Sequence, residues 1–268
     1  MWEIVRDMAE ELRRSDFEPL DFELNFADAA ALPPVLLGEG EERMQLIGVA
    51  DRVDGWLHDG KLYLRVVDYK TGRKEFSLGD VWYGMGLQML LYLFALSEDG
   101  EARYGREIVP AGVMYVPARS AMASVDSEDD AEAIEKQLRR EVRRSGLVLG
   151  EDGVPDAWEK GEEKDKLYIP MKLLKGGKVS GETFASAERM GRLYGHIRKT
   201  LTSMTGELRR GTIAADPYYR SASEQACRNC DYFDACQFRD GEAGEHSRYL
   251  PKLAAEEVWK RLEGGGEA

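Results

Sequence analysis

Cysteine is scarce in these 268 residues: there are three, Cys227, Cys230 and Cys236, all within one ten-residue window. An odd, clustered set excludes a framework of structural disulfides and points to metal chemistry. Long apolar runs are missing too. No stretch approaches the roughly 18 residues expected of a membrane span. The opening MWEIVRDMAEELRRSDF has neither the charge layout nor the apolar core of a secretion signal. A cytoplasmic location without a membrane partner is the expectation. No G-x-x-x-x-G-K-[ST] phosphate loop occurs, which excludes ATP hydrolysis by a P-loop mechanism in this chain. Basic charge is in deficit, with 37 Lys and Arg against 50 Asp and Glu and a net charge of -13. That balance excludes a broad basic surface for non-specific nucleic-acid binding, so any such contact must be local or shared with a partner.

What is present is enough for a core, at 43% hydrophobic residues. Residues 1–14 place Trp2, Val5, Met8, Ala9 and Leu12 at helical spacing, without an N-capping residue ahead of them. PLDFELNFA (19–27) alternates Leu20, Phe22, Leu24 and Phe26 with polar residues, the pattern of a half-buried strand. MQLIGVADRVDGWLHDGKLYLRVVDYKTG reads as two strands joined by a turn at Asp59-Gly60. A helix is predicted over 78–96, a strand over 111–117 that Pro117 stops, and a charged helix over 127–144. Residues 146–182 read as short strands and Gly-rich turns, and 183–210 as a long amphipathic helix closed by Gly211. The final GGGEA reads as frayed. Two basic runs, KQLRREVRR (136–144) and MKLLKGGK (171–178), fit solvated faces or phosphate contacts.

In a strand, Asp68 and Lys70 project to one face and Tyr69 to the other. A short hairpin brings Asp51 to the same end. Two close carboxylates repel unless a cation lies between them, and hard oxygen ligands suit Mg²⁺ or Mn²⁺. Lys70 then orients or helps deprotonate an attacking water, or stabilises charge on a phosphate oxygen. Gly72 is expected to let the backbone turn away from the site. Asp54 is the alternative to Asp51, but its strand parity puts it on the opposite face. The same triplet also fits a plain ion pair at a strand end. Gln88 and Tyr92 share a helical face, and a buried glutamine there needs partners for its amide; a packed core pair is the alternative. ACRNCDYFDAC is C-x2-C-x5-C, whose thiolates suit zinc or an iron-sulfur cluster. His246 could complete a zinc site, though not at a standard spacing. Tyr232, Phe233 and Phe238 could shield a cluster, and three metal-free cysteines are the simplest reading.

GVADRVDG, VVDYKTG and LQMLLYLFAL, in this order, resemble motifs II and III and the Gln/Tyr helix of the PD-(D/E)xK nucleases, in their RecB-like branch. The resemblance implies an α/β, restriction-endonuclease-like core: a mixed central sheet flanked by helices, with a C-terminal cysteine-cluster region. It implies Asp51 and Asp68 as metal ligands, the Tyr69 carbonyl as a further ligand, Lys70 as the catalytic lysine, and Gln88 and Tyr92 as braces. GTIAADPYYRSASEQACRNCDYFDAC resembles the end of the nuclease domain in the B subunit of AddAB-type helicase-nucleases. There Cys227, Cys230 and Cys236 would supply three of four ligands to a [4Fe-4S] cluster that staples the domain. KLYIPMKLLKGGKVSG (166–181) resembles the segment between the two regions.

The resemblance covers about residues 40–240. Two departures are expected to matter: the upstream fourth cysteine is absent, and so is the motif I helix with its histidine and acidic residue. They imply a C-terminal fragment of a larger subunit, impaired in catalysis on its own. The implied organisation is a nuclease core over 1–220, a cysteine region over 221–240 and a C-terminal helix and tail over 241–268. The implied activity is a metal-dependent DNA exonuclease in double-strand break processing and recombinational repair. Its implied partners are an AddA-type helicase-nuclease subunit and the single-stranded DNA that the motor delivers. A stand-alone RecB- or Cas4-like exonuclease, and a non-catalytic module binding DNA or a partner through a degenerate nuclease fold, are the alternatives.

Overall fold

A computed structural model describes residues 2–26, 32, 35–37, 44–122, 130–161, 166–170, 183–242 and 244–264. In chain order, the first elements are α1 (Trp2–Arg14), β1 (Glu18–Asn25), β2 (Val35–Leu37), β3 (Met44–Leu46), β4 (Val49–His58) and β5 (Lys61–Lys70). They continue with α2 (Leu78–Trp82), α3 (Gln88–Tyr104), β6 (Ile108–Pro117), α4 (Ala131–Glu141), β7 (Ser145–Leu149) and α5 (Val154–Trp158). The last are β8 (Phe184–Ala185), α6 (Ala187–Arg209), β9 (Tyr218–Ser221), β10 (Glu224–Gln225), α7 (Phe233–Cys236), β11 (Arg248–Tyr249) and α8 (Ala255–Glu263).

β4 and β5 form the hairpin that organises the main sheet. Asp59 and Gly60 both take positive φ, at 47° and 79°, which gives a two-residue turn whose twist matches its strands. The six strands run β1-β4-β5-β6-β7-β8, parallel at β5/β6 and β7/β8 and antiparallel elsewhere. Parallel pairing of β5 and β6 needs a crossover, and α3 supplies it. β5 is buried continuously from Leu62 to Asp68, as a central strand covered on both faces must be. One cover is α1 with α5: Glu11 reaches Arg52 and Arg65, and Trp158 lies under the Arg65 guanidinium. α3 crosses the other face, where Arg103 and Tyr104 at its end bond Asp21 opposite Val53. The mixed sheet flanked by helices is the expected fold class.

Several elements depart from expectation for identifiable reasons. The helix predicted over 78–96 is two helices, because Gly84 and Gly86 turn the chain through positive φ and α3 then runs on to Tyr104. β6 starts at Ile108, three residues earlier than predicted, and tolerates Pro110 because the ladder to β5 is irregular there. The long helix starts at Ala187; Thr183 instead accepts a ladder bond from Val148, and Ser186 caps α6. Of the alternating set only Leu24 and, just past β1, Phe26 are buried; the register shifts between Pro19 and Asp21 on this edge strand, and Leu20 and Phe22 are 42% and 65% exposed. The MKLLKGGK run and most of the 166–181 segment lie outside the described residues, as do 265–268 of the tail. Beyond the main sheet, β10, β9 and β11 make a three-stranded sheet around the cysteine window, tied to α2 by Arg220 and Asp80 at 2.6 Å. Among the described residues no helix is long and apolar enough to cross a membrane.

Candidate active site

The antiparallel register pairs Arg52 with Val67, which sets Asp51 opposite Asp68 one step further along. Asp51 and Asp68 thus share a face with Lys70. Asp51 Oδ2 accepts the Tyr69 backbone N–H at 2.9 Å. In a strand a residue's N–H and C=O point to the same edge, so the Tyr69 carbonyl is directed to the Asp51 side as well. Asp68 is 5% exposed, and its Oδ2 stands 2.6 Å from Lys70 Nζ. That close ion pair is the contact the structure gives Asp68 Oδ2 among the described residues. Burial pushes the Asp68 carboxyl up, Lys70 pulls it down, and the Asp51 charge pushes it up again; it ends above its ordinary range. A buried carboxylate beside a second carboxylate and a carbonyl fits a hard divalent cation by donor type. Gly72 does not take the role expected of it. Its φ is not in the left-handed region and a Cβ there would meet nothing, so the turn does not require glycine.

Gln88 and Tyr92 do share a face of α3, and Gln88 Nε2 donates to Tyr92 Oη at 3.1 Å. The glutamine is exposed, not buried, because the break at Gly84 and Gly86 makes it the first residue of its helix. Tyr92 is buried and stacks on Phe26, with centroids 4.7 Å apart and planes at 9°. Its hydroxyl fills the space over Gly48, where a Cβ would lie only 2.0 Å away. Among the described residues neither side chain bonds Asp51, Asp68 or Lys70.

Behind the carboxylates lies a charge network that sequence reasoning missed. Arg52 Nη1 donates to Tyr69 Oη at 2.6 Å, and its Nη2 reaches Glu11 and Asp54 at 3.0 Å each. Arg65 Nε donates to Asp54 Oδ2 at 2.8 Å, and its guanidinium lies over Phe17 and Trp158. Arg144 donates to Glu11 Oε2 at 2.7 and 2.9 Å and pairs with Asp7 at 2.7 Å. Glu11, Arg52, Asp54, Arg65 and Arg144 are all buried. Burial pushes the Glu11 carboxyl up, but Arg144, Arg65 and Arg52 outweigh it and hold the group below the carboxylate range. Asp54 is therefore a structural anion on the far face, as parity predicted. Arg144 is the part of the KQLRREVRR run that is no solvated face.

On the near side, Tyr115 of β6 pairs with Asp68 in the parallel ladder. Burial, and then the Asp68 charge, push its hydroxyl up to about 12. A lone tyrosine in the apolar run AGVMYVP was the available signal. Lys74 also acts on Asp68, lowering its carboxyl electrostatically.

Cys227 is half-buried while Cys230 and Cys236 are exposed. Burial pushes the Cys227 thiol up, and the charges of Cys230 and Cys236 add to that, so the three feel one another. They fit an iron-sulfur or zinc site by donor type, but among the described residues no three His, Cys, Asp or Glu side chains are gathered as a metal site. His246 does not complete them. The parallel pairing of β11 with β9 carries it to Asp240, 4.0 Å away, and leaves it exposed. Tyr232 and Phe233 are exposed and shield nothing.

A mixed sheet that brings two carboxylates and a lysine together at the end of its central hairpin is the architecture of a nuclease domain. The chain belongs to the PD-(D/E)XK nuclease superfamily, which it matches over residues 1–237. The match takes in α1 and β1, more of the chain than the motifs alone cover. The chain is 30% identical over 256 residues to the B subunit of the ATP-dependent helicase/deoxyribonuclease of Ruminiclostridium cellulolyticum, which is 95% of this chain and 22% of that protein. It is 32% identical over 257 residues to the protein of that name from Acetivibrio thermocellus, again 95% and 22%. To that of Symbiobacterium thermophilum it is 33% identical over 263 residues, 97% and 22%. The chain thus spans 22% of the length of these curated relatives.

Proposed function

We propose that this chain is the metal-dependent DNA nuclease domain of a bacterial helicase-nuclease B subunit. It acts in the cytoplasm on single strands delivered by an AddA-type motor, in double-strand break processing and recombinational repair. The observation that carries the reading is the convergence of Asp51, Asp68 and Lys70 on one face, with Asp68 buried and held by Lys70 at 2.6 Å. Asp51, Asp68 and the Tyr69 carbonyl are the ligands for Mg²⁺ or Mn²⁺. Such an ion, when bound, polarises the phosphate and makes water a better nucleophile. Lys70 leaves Asp68 to orient the attacking water or to stabilise charge on a phosphate oxygen. Gln88 and Tyr92 brace the neighbouring helix end against the site. Cys227, Cys230 and Cys236 supply three ligands of a [4Fe-4S] staple on the 221–240 region, between a nuclease core over 1–220 and the helix and tail of 241–268, with the fourth ligand from outside this sequence.

The test is Mn²⁺-dependent degradation of labelled single-stranded DNA by this chain beside Asp68→Ala and Lys70→Ala. Loss of rate in both, by about 10²–10⁴-fold, supports the assignment. Equal activity in all three would remove the site from these residues. No activity and no Mn²⁺ binding in any of them would favour a non-catalytic module.

A further inference from the structure

We infer that the cleft running away from Lys70 is a phosphate-binding subsite, which holds the DNA backbone beside the phosphodiester being cleaved through Arg73, Lys74 and Arg119. The inference rests on the nuclease reading of Asp68 and Lys70. The cleft has a volume of about 230 Å³, and Lys70 lines both it and the carboxylate site. Six of its lining residues are basic and two acidic, in a chain whose net charge is -13. Arg144 is answered by Glu11 and Asp7 and Lys70 by Asp68, so the cationic groups that bear on the cleft are Arg73, Arg119 and Lys74.

The topology explains the gathering. β5 and β6 are parallel and end together, with Lys70 opposite Pro117 and Ala118 N–H donating to the Lys70 carbonyl at 2.8 Å. Arg73 and Arg119, each just past its strand, thus emerge side by side. Both guanidinium groups converge on Glu141, the last residue of α4. Arg73 Nη2 donates to its two oxygens at 3.0 and 2.9 Å, and Arg119 Nη2 to one of them at 3.1 Å. Several guanidinium donors on one anion are the arrangement a phosphate takes. Glu141 is the resident anion there, so an arriving phosphate exchanges one negative group for another and leaves no guanidinium unpaired. Lys74 completes the set. It has no ion pair among the described residues, its charge is felt at Asp68, and a Cβ on Gly86 would lie 3.9 Å from its Nζ. It therefore stands between the carboxylates and the start of α3. A flexible ammonium and two planar guanidinium groups strung along a groove suit a single-stranded backbone.

The experiment uses the full chain. Binding of a labelled oligothymidylate is titrated against salt in the Asp68→Asn background, with and without Arg73→Gln, Lys74→Gln and Arg119→Gln together. Loss of three phosphate contacts lowers the slope of log K against log salt by about 2 and weakens binding at least roughly tenfold at low salt. With Asp68 intact, Arg73→Gln and Arg119→Gln together, with Lys74 kept because its charge acts on Asp68, raise KM for the oligonucleotide while kcat stays within about twofold. A phosphodiester with no neighbouring phosphate, bis(p-nitrophenyl) phosphate, is hydrolysed at the same rate by this double variant and the parent, which a folding defect would not allow. Glu141→Gln, which removes the resident anion, tightens oligonucleotide binding. An unchanged salt slope in the triple variant, with an unchanged KM in the double, overturns the subsite; weaker binding by Glu141→Gln overturns the anion exchange. If the chain with all residues intact cleaves neither substrate and binds no Mn²⁺, the nuclease reading fails, and the salt slope still decides the subsite by itself.

Discussion

Glu11→Gln removes one negative charge and almost no volume from the network behind β5. The carboxylate is 1% exposed and takes Arg144 at 2.7 Å, Arg52 at 3.0 Å and Arg65 at 3.9 Å. With it gone, Asp54 and Asp7 face three guanidinium groups, two of them buried alongside Asp54 itself. Breaking a buried pair from one side costs about 3–5 kcal/mol, because the surviving charge stays out of water. For a chain of this length that lowers Tm by roughly 6–15 °C. An exposed pair provides the scale: Glu107→Gln opposite Lys61, at 2.6 Å, should leave Tm nearly unchanged, because solvent screens that pair. The two variants are compared by urea denaturation and by Tm against pH. Glu11 is held below its unfolded value, so its contribution is present above the ordinary carboxylate range, near pH 4.3, and is lost as pH falls through its folded value. Glu11→Gln should therefore flatten the acid limb of the stability curve as well as lower the plateau. A loss below about 1 kcal/mol at neutral pH, or an unaltered acid limb, would refute the view that Glu11 neutralises the three arginines.

Mn²⁺ at a hundred times its Kd should stabilise the chain by about 2.7 kcal/mol, and Asp68→Asn should abolish that shift in differential scanning fluorimetry while leaving the chain folded; a full shift in the variant would place the ion elsewhere. Gly48→Ala should cost about 1–3 kcal/mol in chemical denaturation, because its Cβ would lie 2.0 Å from Tyr92 Oη and the stack on Phe26 must move. Tyr69→Phe removes the hydroxyl that Arg52 holds at 2.6 Å but keeps the backbone groups beside Asp51, so Mn²⁺ affinity should stay within about threefold while stability falls by about 1 kcal/mol. Cys230→Ser and Cys236→Ser, both exposed, should each change metal-free stability by less than about 0.5 kcal/mol, and a larger loss would show that the thiols already bear on the fold.

The parts of the site carried by short-range rules were legible. The period of two in VVDYK separates Asp68 and Lys70 from Tyr69, and the two-residue turn at Asp59-Gly60 then fixes which residue of β4 faces Asp68. Long-range charge pairing was not. Glu11, Arg52, Arg65 and Arg144 lie far apart in the chain, and each reads locally as an ordinary surface charge. Only the folded sheet shows that α1 lays a carboxylate between three guanidinium groups. The burial expected of Gln88 is not found, for a local reason: YGMGLQ reads as continuous helix, whereas Gly84 and Gly86 break it and turn the glutamine outward. Leu20 and Phe22 show the converse, a correct strand pattern on an edge where the fold covers only part of the alternating face.

The position of α1 has a practical meaning for anyone who would trim this domain. Residues 2–14 form an amphipathic helix ahead of the first strand and remote from every motif. Cutting at β1 would instead leave Arg52, Arg65 and Arg144 in the interior with Asp54, among the described residues, as their only buried carboxylate, directly beneath Tyr69. The smallest excisable unit therefore carries α1, and its boundary is set by electroneutrality under β5, upstream of the point where the sheet begins.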